Sequence, residues 1–259
     1  MSSNTQFAPV AGAQIYQGMK NAGKLGNYHL LLAHDIYARP TLYRDVFGDM
    51  EGPKTIILDN SVVELKSPIV DPEYVAQAAQ IVGANVIVLP DVYLDAKETI
   101  KSIIGSYNTW KQVMDRVLGA NNYAFMLVPQ GSNIHKFTTC AGILSTWAEM
   151  EIGQQWWWGI PRNLVKAAGT RYNGIEYCAG LQPRWPIHML GFSDNVIDDI
   201  YCAQQFSVFV HGIDSAVPVR YDGEYNITSI AGSREPGWLE TAEYTQQVQR
   251  NIDYVSNLV

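Results

Sequence analysis

The sequence predicts a single-domain α/β protein, a (β/α)8 TIM barrel over residues 1–259. Two observations carry that expectation. Apolar runs of strand length alternate with helix-patterned segments about eight times along the chain, and parallel strands need such crossovers between them. The length of 259 residues matches the roughly 250 that one such barrel uses. A doubly wound open sheet follows the same alternation and is the competing architecture.

Residues 1–25, rich in Ala, Gly, Gln and Asn, have weak helical character and are expected to form an N-terminal cap. The first strand is expected at Tyr28–Ala33, and Leu42–Phe47 follows with apolar residues at helical spacing. Thr55–Asp59 is the second strand and ends in an acid. A helix over Pro72–Val82 has Asp71 as N-cap, Pro72 at its first position and Gly83 as its stop. The third strand, Asn85–Asp91, also ends in an acid. A helix over about Ala96–Leu118 leads to Tyr123–Gln130, the fourth strand, and a helix over Ile134–Glu151 leads to Trp156–Asn163, the fifth. Pro186–Gly191 is the sixth, with Ser193 or Asp194 capping a helix over Asn195–Gln205. The seventh runs through the apolar stretch Phe206–Val210 and carries Asp214 to its C-terminal end. A weaker eighth is read at Tyr225–Ile230, before a C-terminal helix over 239–258.

The bulk numbers exclude several classes. With 47% hydrophobic and 17% charged residues the composition is that of a globular chain. No run approaches the ~20 apolar residues of a membrane helix. Met1–Phe7 has no basic start or apolar core, so no secretion signal is expected and a cytoplasmic location is. A net charge of −7 argues against non-specific coating of nucleic acid, while leaving room for a local basic rim. Cys140, Cys178 and Cys202 are far apart and read as buried free thiols, not as a metal cluster. No G-x-G-x-x-G follows the first strand, and neither a P-loop nor an H-E-x-x-H motif occurs, so neither a metal nor a redox cofactor is expected.

What remains is the set of strand ends. In a barrel they converge on one mouth, so Asp59, Asp91, Gln130, Gly159, Leu190 and Asp214 should share one pocket. Any one strand-end Asp can simply cap a turn; the argument rests on several arriving together. Two carboxylates flanking a glycosidic bond can cleave it by double displacement. A third carboxylate beside an amide suits a guanine edge, Asp accepting two N–H groups and Gln donating to the carbonyl.

At these residues the chain resembles the tRNA-guanine transglycosylase superfamily, barrel enzymes that exchange a guanine in nucleic acid for a 7-deazaguanine. Leu58-Asp59-Asn60-Ser61-Val62-Val63-Glu64 is similar to its D-S-G-G-Y-Q segment, which implies Asp59 as general acid/base. Pro90-Asp91 resembles its base-reading Asp, and Val128-Pro129-Gln130-Gly131 its V-V-Q-G, which implies Gln130 on the guanine oxygen. Trp158-Gly159-Ile160 sits where a Gly-Leu pair contacts the base through its backbone, and Met189-Leu190-Gly191-Phe192 resembles L-M-G-V. Ile213 to Arg220 is similar to F-D-C-V-x-P-T-R, which implies Asp214 as nucleophile. Val63 stands where the family stacks an aromatic ring, implying a base held between Val63 and Leu190; Glu64 replaces a Gln. The family's zinc subdomain has no counterpart, since residues 215–259 hold neither Cys nor His.

That departure favours the DNA-modifying branch, including compact phage-encoded members. The resemblance implies single-stranded or base-flipped DNA and a free 7-deazaguanine, such as 7-cyano-7-deazaguanine, as partners, in the cytoplasm of a bacterial host. A neutral nitrile or carboxamide substituent is expected, since no dedicated anion is evident for an aminomethyl group. A tRNA substrate and a non-catalytic base-binding subunit are the alternatives; a barrel lyase would want a strand-end Schiff-base Lys, and none is seen. Arg162, Lys166 and Arg171 are expected to rim the mouth, with Arg220 and Arg234 as further phosphate contacts, against the plainer reading of a solvated helix face. His188 and His211 are expected to be hydrogen-bonded structural residues, and at least one ring of Trp156–Trp158 to pack in the core.

Overall fold

Strands β1 (Gln6–Pro9), β2 (Tyr28–Leu32), β3 (Thr55–Asp59), β4 (Val86–Val88), β5 (Ala124–Leu127), β6 (Trp156–Pro161), β7 (Ile187–Leu190) and β8 (Val210–Ser215) form one all-parallel sheet in the order β1-β8-β7-β6-β5-β4-β3-β2. The computed structural model describes residues 5–61, 65, 69–152, 156–221, 223–227 and 242–259. The sheet curls into a nearly closed (β/α)8 barrel. At the seam between β1 and β2, the buried Tyr16 hydroxyl donates to Pro9 O at 2.6 Å and lies 3.4 Å from Leu30 O, tying the two edge strands together. Burial raises its pKa, so the phenol stays a donor.

Around the strands lie α1 (Ala13–Asn21), α2 (Ala33–Ala38), α3 (Pro40–Phe47), α4 (Pro72–Val82), α5 (Ala96–Leu118), α6 (Ile134–Glu151), α7 (Leu164–Ala168), α8 (Tyr172–Leu181), α9 (Val196–Gln205), α10 (Val217–Arg220) and α11 (Gln246–Ser256). Their starts follow from side chains that accept the otherwise unmet first-turn N–H groups. Asp71 accepts from Glu73 N, Asp95 from Glu98 N and Asn133 from Lys136 N. Gly83 ends α4 in the left-handed region at φ 66°.

The period of two along a strand sorts its side chains between two cores. On β6, Trp156, Trp158 and Ile160 face the helices, and the two outer Trp rings meet edge to face at 4.5 Å. Trp157 turns inward and joins Leu30, Ile57, Val86 and Met126 in the barrel interior. The three thiols are buried and free, and burial pushes Cys140 and Cys202 up to about 11.

Several expectations need correction. The segment read as a cap holds β1, which pairs with β8 and completes the eight strands. Tyr225–Ile230 is not the eighth strand: residues 225–227 are irregular, and 228–230 lie outside the described residues. Phe206–Phe209 is a turn, and β8 begins only at Val210. Asn195, not Ser193 or Asp194, caps α9 through Asp198 N. The C-terminal helix starts at Gln246 with Thr245 as N-cap, not near residue 239. Tyr172–Leu181 is a helix that the sequence reading did not assign.

β8 carries one register irregularity that matters for the site. Val210 pairs with Ile187 and Gly212 with His188, so His211 is an extra residue between them. This bulge shifts the alternation, turning Gly212 and Asp214 inward while Ile213 faces the helices.

Candidate active site

A cavity of about 90 Å3 opens at the C-terminal ends of the strands, where one water needs ~10–15 Å3. Asp59, Asp91, Gln130, Leu190 and Asp214 all line it, together with aliphatic side chains and one aromatic ring, Tyr93. Each acid arrives on a different strand. Asp59 is the last residue of β3 and accepts from Ser61 N at 2.5 Å, in a turn where Ser61 takes φ 62°.

Beyond β4 and β5 a row of side chains shares hydrogen bonds. Asn60 Nδ2 donates to Asp91 Oδ1 at 2.9 Å and to Leu89 O at 3.0 Å. Gln130 Nε2 donates to Asp91 Oδ2 at 2.6 Å. Gln130 Oε1 in turn accepts from Leu94 N at 3.1 Å and from Asn163 Nδ2 at 3.0 Å. A carboxylate at one end and a backbone N–H at the other set which way the Gln130 amide points. Burial raises the Asp91 pKa, and the two amide donors oppose the shift by stabilising its charged form.

The second cluster surrounds Asp214. Its Oδ1 accepts from Gly191 N at 2.9 Å and lies 2.9 Å from His188 Nε2. His188 Nδ1 is 2.7 Å from the Tyr28 hydroxyl. Burial raises the Tyr28 pKa well above its ordinary value, with Asp214 adding to it. The phenol therefore donates to Nδ1, which leaves Nε2–H to donate to the carboxylate. Among the described residues no hydrogen bond is made to Asp214 Oδ2. One carboxylate oxygen is thus clamped by two donors, while the other has no donor among the described residues.

The clamp has its own support. Arg171 donates through Nη2 to Leu190 O at 3.1 Å and to Gly191 O, holding the segment whose N–H meets Asp214. Its Nε lies 3.3 Å from Asp199 Oδ1, both side chains being fully buried, and Asp199 also accepts from Ser193 N at 2.6 Å. Burial lowers the Arg171 pKa and raises that of Asp199, and their mutual attraction opposes both shifts.

The expected residues thus divide. Asp59, Asp91, Gln130, Leu190 and Asp214 come together, with Arg162 exposed at the rim. Gly159 does not line the cavity: it sits below, where a Cβ would approach Val128, Leu190 and Met126 to 2.8–3.0 Å. Ile160 faces the helices, because the alternation puts it on the outer side of β6. Lys166 is exposed on α7 and Arg220 half-buried at the end of α10; neither lines the cavity. Arg171 is no rim cation, being buried against Asp199. Val63, Glu64 and Arg234 lie outside the described residues.

Tyr28, Asn60, Asn163 and Gly191 were missed, and His188 was read as structural only. His188 is hydrogen-bonded as expected, and one of its partners is Asp214 at the cavity. One signal existed: His188 and Leu190 are two apart on one strand and so share a face. His211, three residues from Asp214, packs against the Trp157 ring at 5.5 Å instead. The sequence matches no family model and no curated protein.

Proposed function

We propose that this chain is a base-exchange transglycosylase that replaces guanine in DNA with a 7-deazaguanine through a covalent glycosyl-aspartate. One observation carries the reading: Asp214, Asp59 and the Asp91–Gln130 pair line the same cavity, with Asp214 held, among the described residues, through Oδ1 alone.

The chemistry runs as follows. Asp214 Oδ2 attacks C1′ of the target nucleotide as the C1′–N9 bond breaks, and Asp59 gives a proton to the departing guanine. Asp59, now a carboxylate, takes the N9 proton of the incoming base. N9 of that base then attacks C1′ and releases Asp214, so two inversions retain the configuration. His188 Nε2–H and the Gly191 N–H keep Oδ1 fixed, and they stabilise the carboxylate again as it leaves in the second step. Asp91 would accept from the guanine N1–H and 2-amino groups. The Gln130 amide has one N–H left after its bond to Asp91, and that hydrogen is available to O6.

A base inside a duplex cannot reach such a cavity without leaving the stack, so single-stranded DNA should react faster than duplex. Arg162, exposed at the rim, is the cation that lines the cavity among the described residues and is the candidate contact for a flanking phosphate. The choice of DNA over a folded tRNA rests on the sequence resemblance to the DNA-modifying branch.

The test incubates the protein with guanine-labelled single-stranded DNA, duplex DNA and tRNA, with and without 7-cyano-7-deazaguanine, beside Asp214→Ala. Base-dependent release of label from DNA, lost in the variant, is the expected result. Release from tRNA alone would keep the chemistry and reverse the polymer. No release from any polymer by folded protein would leave a base-binding subunit as the better reading.

A further inference from the structure

We propose that Tyr93 is the stacking surface for the nucleobase held in this cavity, an affinity-determining residue for the planar face of a purine; the inference rests on the function proposed above.

Tyr93 is the one aromatic side chain lining the cavity among the described residues; the other apolar lining is aliphatic, including Leu30, Val88, Val128, Pro161 and Leu190. It is 52% exposed. An exposed tyrosine on a surface loop needs no explanation; one presented into a cavity by a pinned turn does.

The turn is held on both sides of it. Val92 N donates to Thr99 Oγ1 at 2.9 Å, and the same hydroxyl donates back to Val92 O at 3.1 Å, from a fully buried Thr99. On the other side, Leu94 N donates to Gln130 Oε1 and Asp95 N to Val92 O at 3.0 Å. Leu94 sits in the left-handed region at φ 59°, which a branched aliphatic residue rarely adopts. Such strain persists only where surrounding contacts impose it. Here they impose it on the residue after Tyr93, and the ring gains no burial from the arrangement.

The same turn links the ring to the edge-reading pair. Asp91 is two residues before Tyr93, and Gln130 grips the residue after it. A purine whose edge meets Asp91 and Gln130 leaves its faces to the cavity walls, and an aromatic ring gives such a face a far better surface than an aliphatic chain. The backbone on both sides of it is already held, so little backbone order need be gained on binding.

The test measures equilibrium binding of free 7-deazaguanine and steady-state exchange of labelled guanine into single-stranded DNA, for wild type, Tyr93→Phe and Tyr93→Ala. Tyr93→Ala should weaken free-base binding and raise its KM by about five- to 150-fold, the range for loss of one base-stacking ring. Its kcat should change only a few-fold, and Tyr93→Phe should stay within about two-fold of wild type. An exposed side chain makes loss of folding no explanation, which a melting curve checks. Wild-type behaviour in Tyr93→Ala would overturn the proposal. So would a rise confined to the KM for DNA, which would place the ring against a flanking base instead. If wild type exchanges no guanine and binds no free base, the transglycosylase reading itself fails and this inference with it.

Discussion

Gly212→Ala is the sharpest probe of how the barrel interior positions Asp214, the nucleophile of the proposed reaction. A Cβ at residue 212 would lie 2.3 Å from Tyr28 Cε1 and 2.4 Å from both Cζ and the hydroxyl oxygen. Ordinary carbon contacts are ~3.5–4.0 Å, so the ring has to retreat by about 1 Å or more. Tyr28 is buried and its hydroxyl sits 2.7 Å from His188 Nδ1, so the retreat breaks that bond. Overpacking of this kind costs about 1–3 kcal/mol, and a buried ring nitrogen left unmet costs a similar amount. For a chain of this size each kcal/mol lowers the melting midpoint by ~2–4 °C, so a fall of roughly 5–20 °C is expected. With the tautomer of His188 no longer dictated, base exchange should lose kcat more than KM. Thermal melting followed by circular dichroism, and the exchange assay, read the two effects. Gly105→Ala is the control, lying in α5 with open space around it; it should leave both unchanged or stabilise slightly. If Gly212→Ala melts and turns over like wild type, the Tyr28–His188–Asp214 chain does not position the acid as argued.

Two further outcomes follow from the buried charges. Arg171→Met strands Asp199 without its partner and should cost about 3–5 kcal/mol, whereas Arg171→Met with Asp199→Leu should recover part of that; equal denaturant midpoints for the two would refute the pairing argument. For the proposed guanine contacts Asp91 must be ionised, and burial raises its pKa, so kcat/KM should fall with decreasing pH at a midpoint above the ordinary value of ~3.9. Asn60→Ala removes a donor to the charged form and should move that limb higher still; an unmoved limb assigns it to another acid. The same raised pKa makes a stability contribution that is complete below the unfolded value and is lost as pH rises through the folded one.

The alternation of apolar runs with helix patterns was enough to predict the barrel, because crossover topology and side-chain period are local properties of a chain. It was also enough to bring five of the expected residues to one mouth, since Asp59, Asp91, Gln130, Leu190 and Asp214 each follow or end a legible strand. Strand β1 escaped because QFAP is four residues long and gains its meaning only by pairing with β8. Ile160 and Arg171 were misassigned for a different reason. Ile160 is turned outward by the strand alternation, and Arg171 is buried because Asp199, from another helix, meets it there. His188 and Tyr28 stand 160 residues apart and meet only when the sheet curls, while the His211 bulge shifts the alternation of β8 that turns Asp214 inward to His188. Residue types and their spacing thus determined which groups reach the mouth. Which oxygen of Asp214 is held by His188 and Gly191 was decided by contacts between strands that only the tertiary structure brings together.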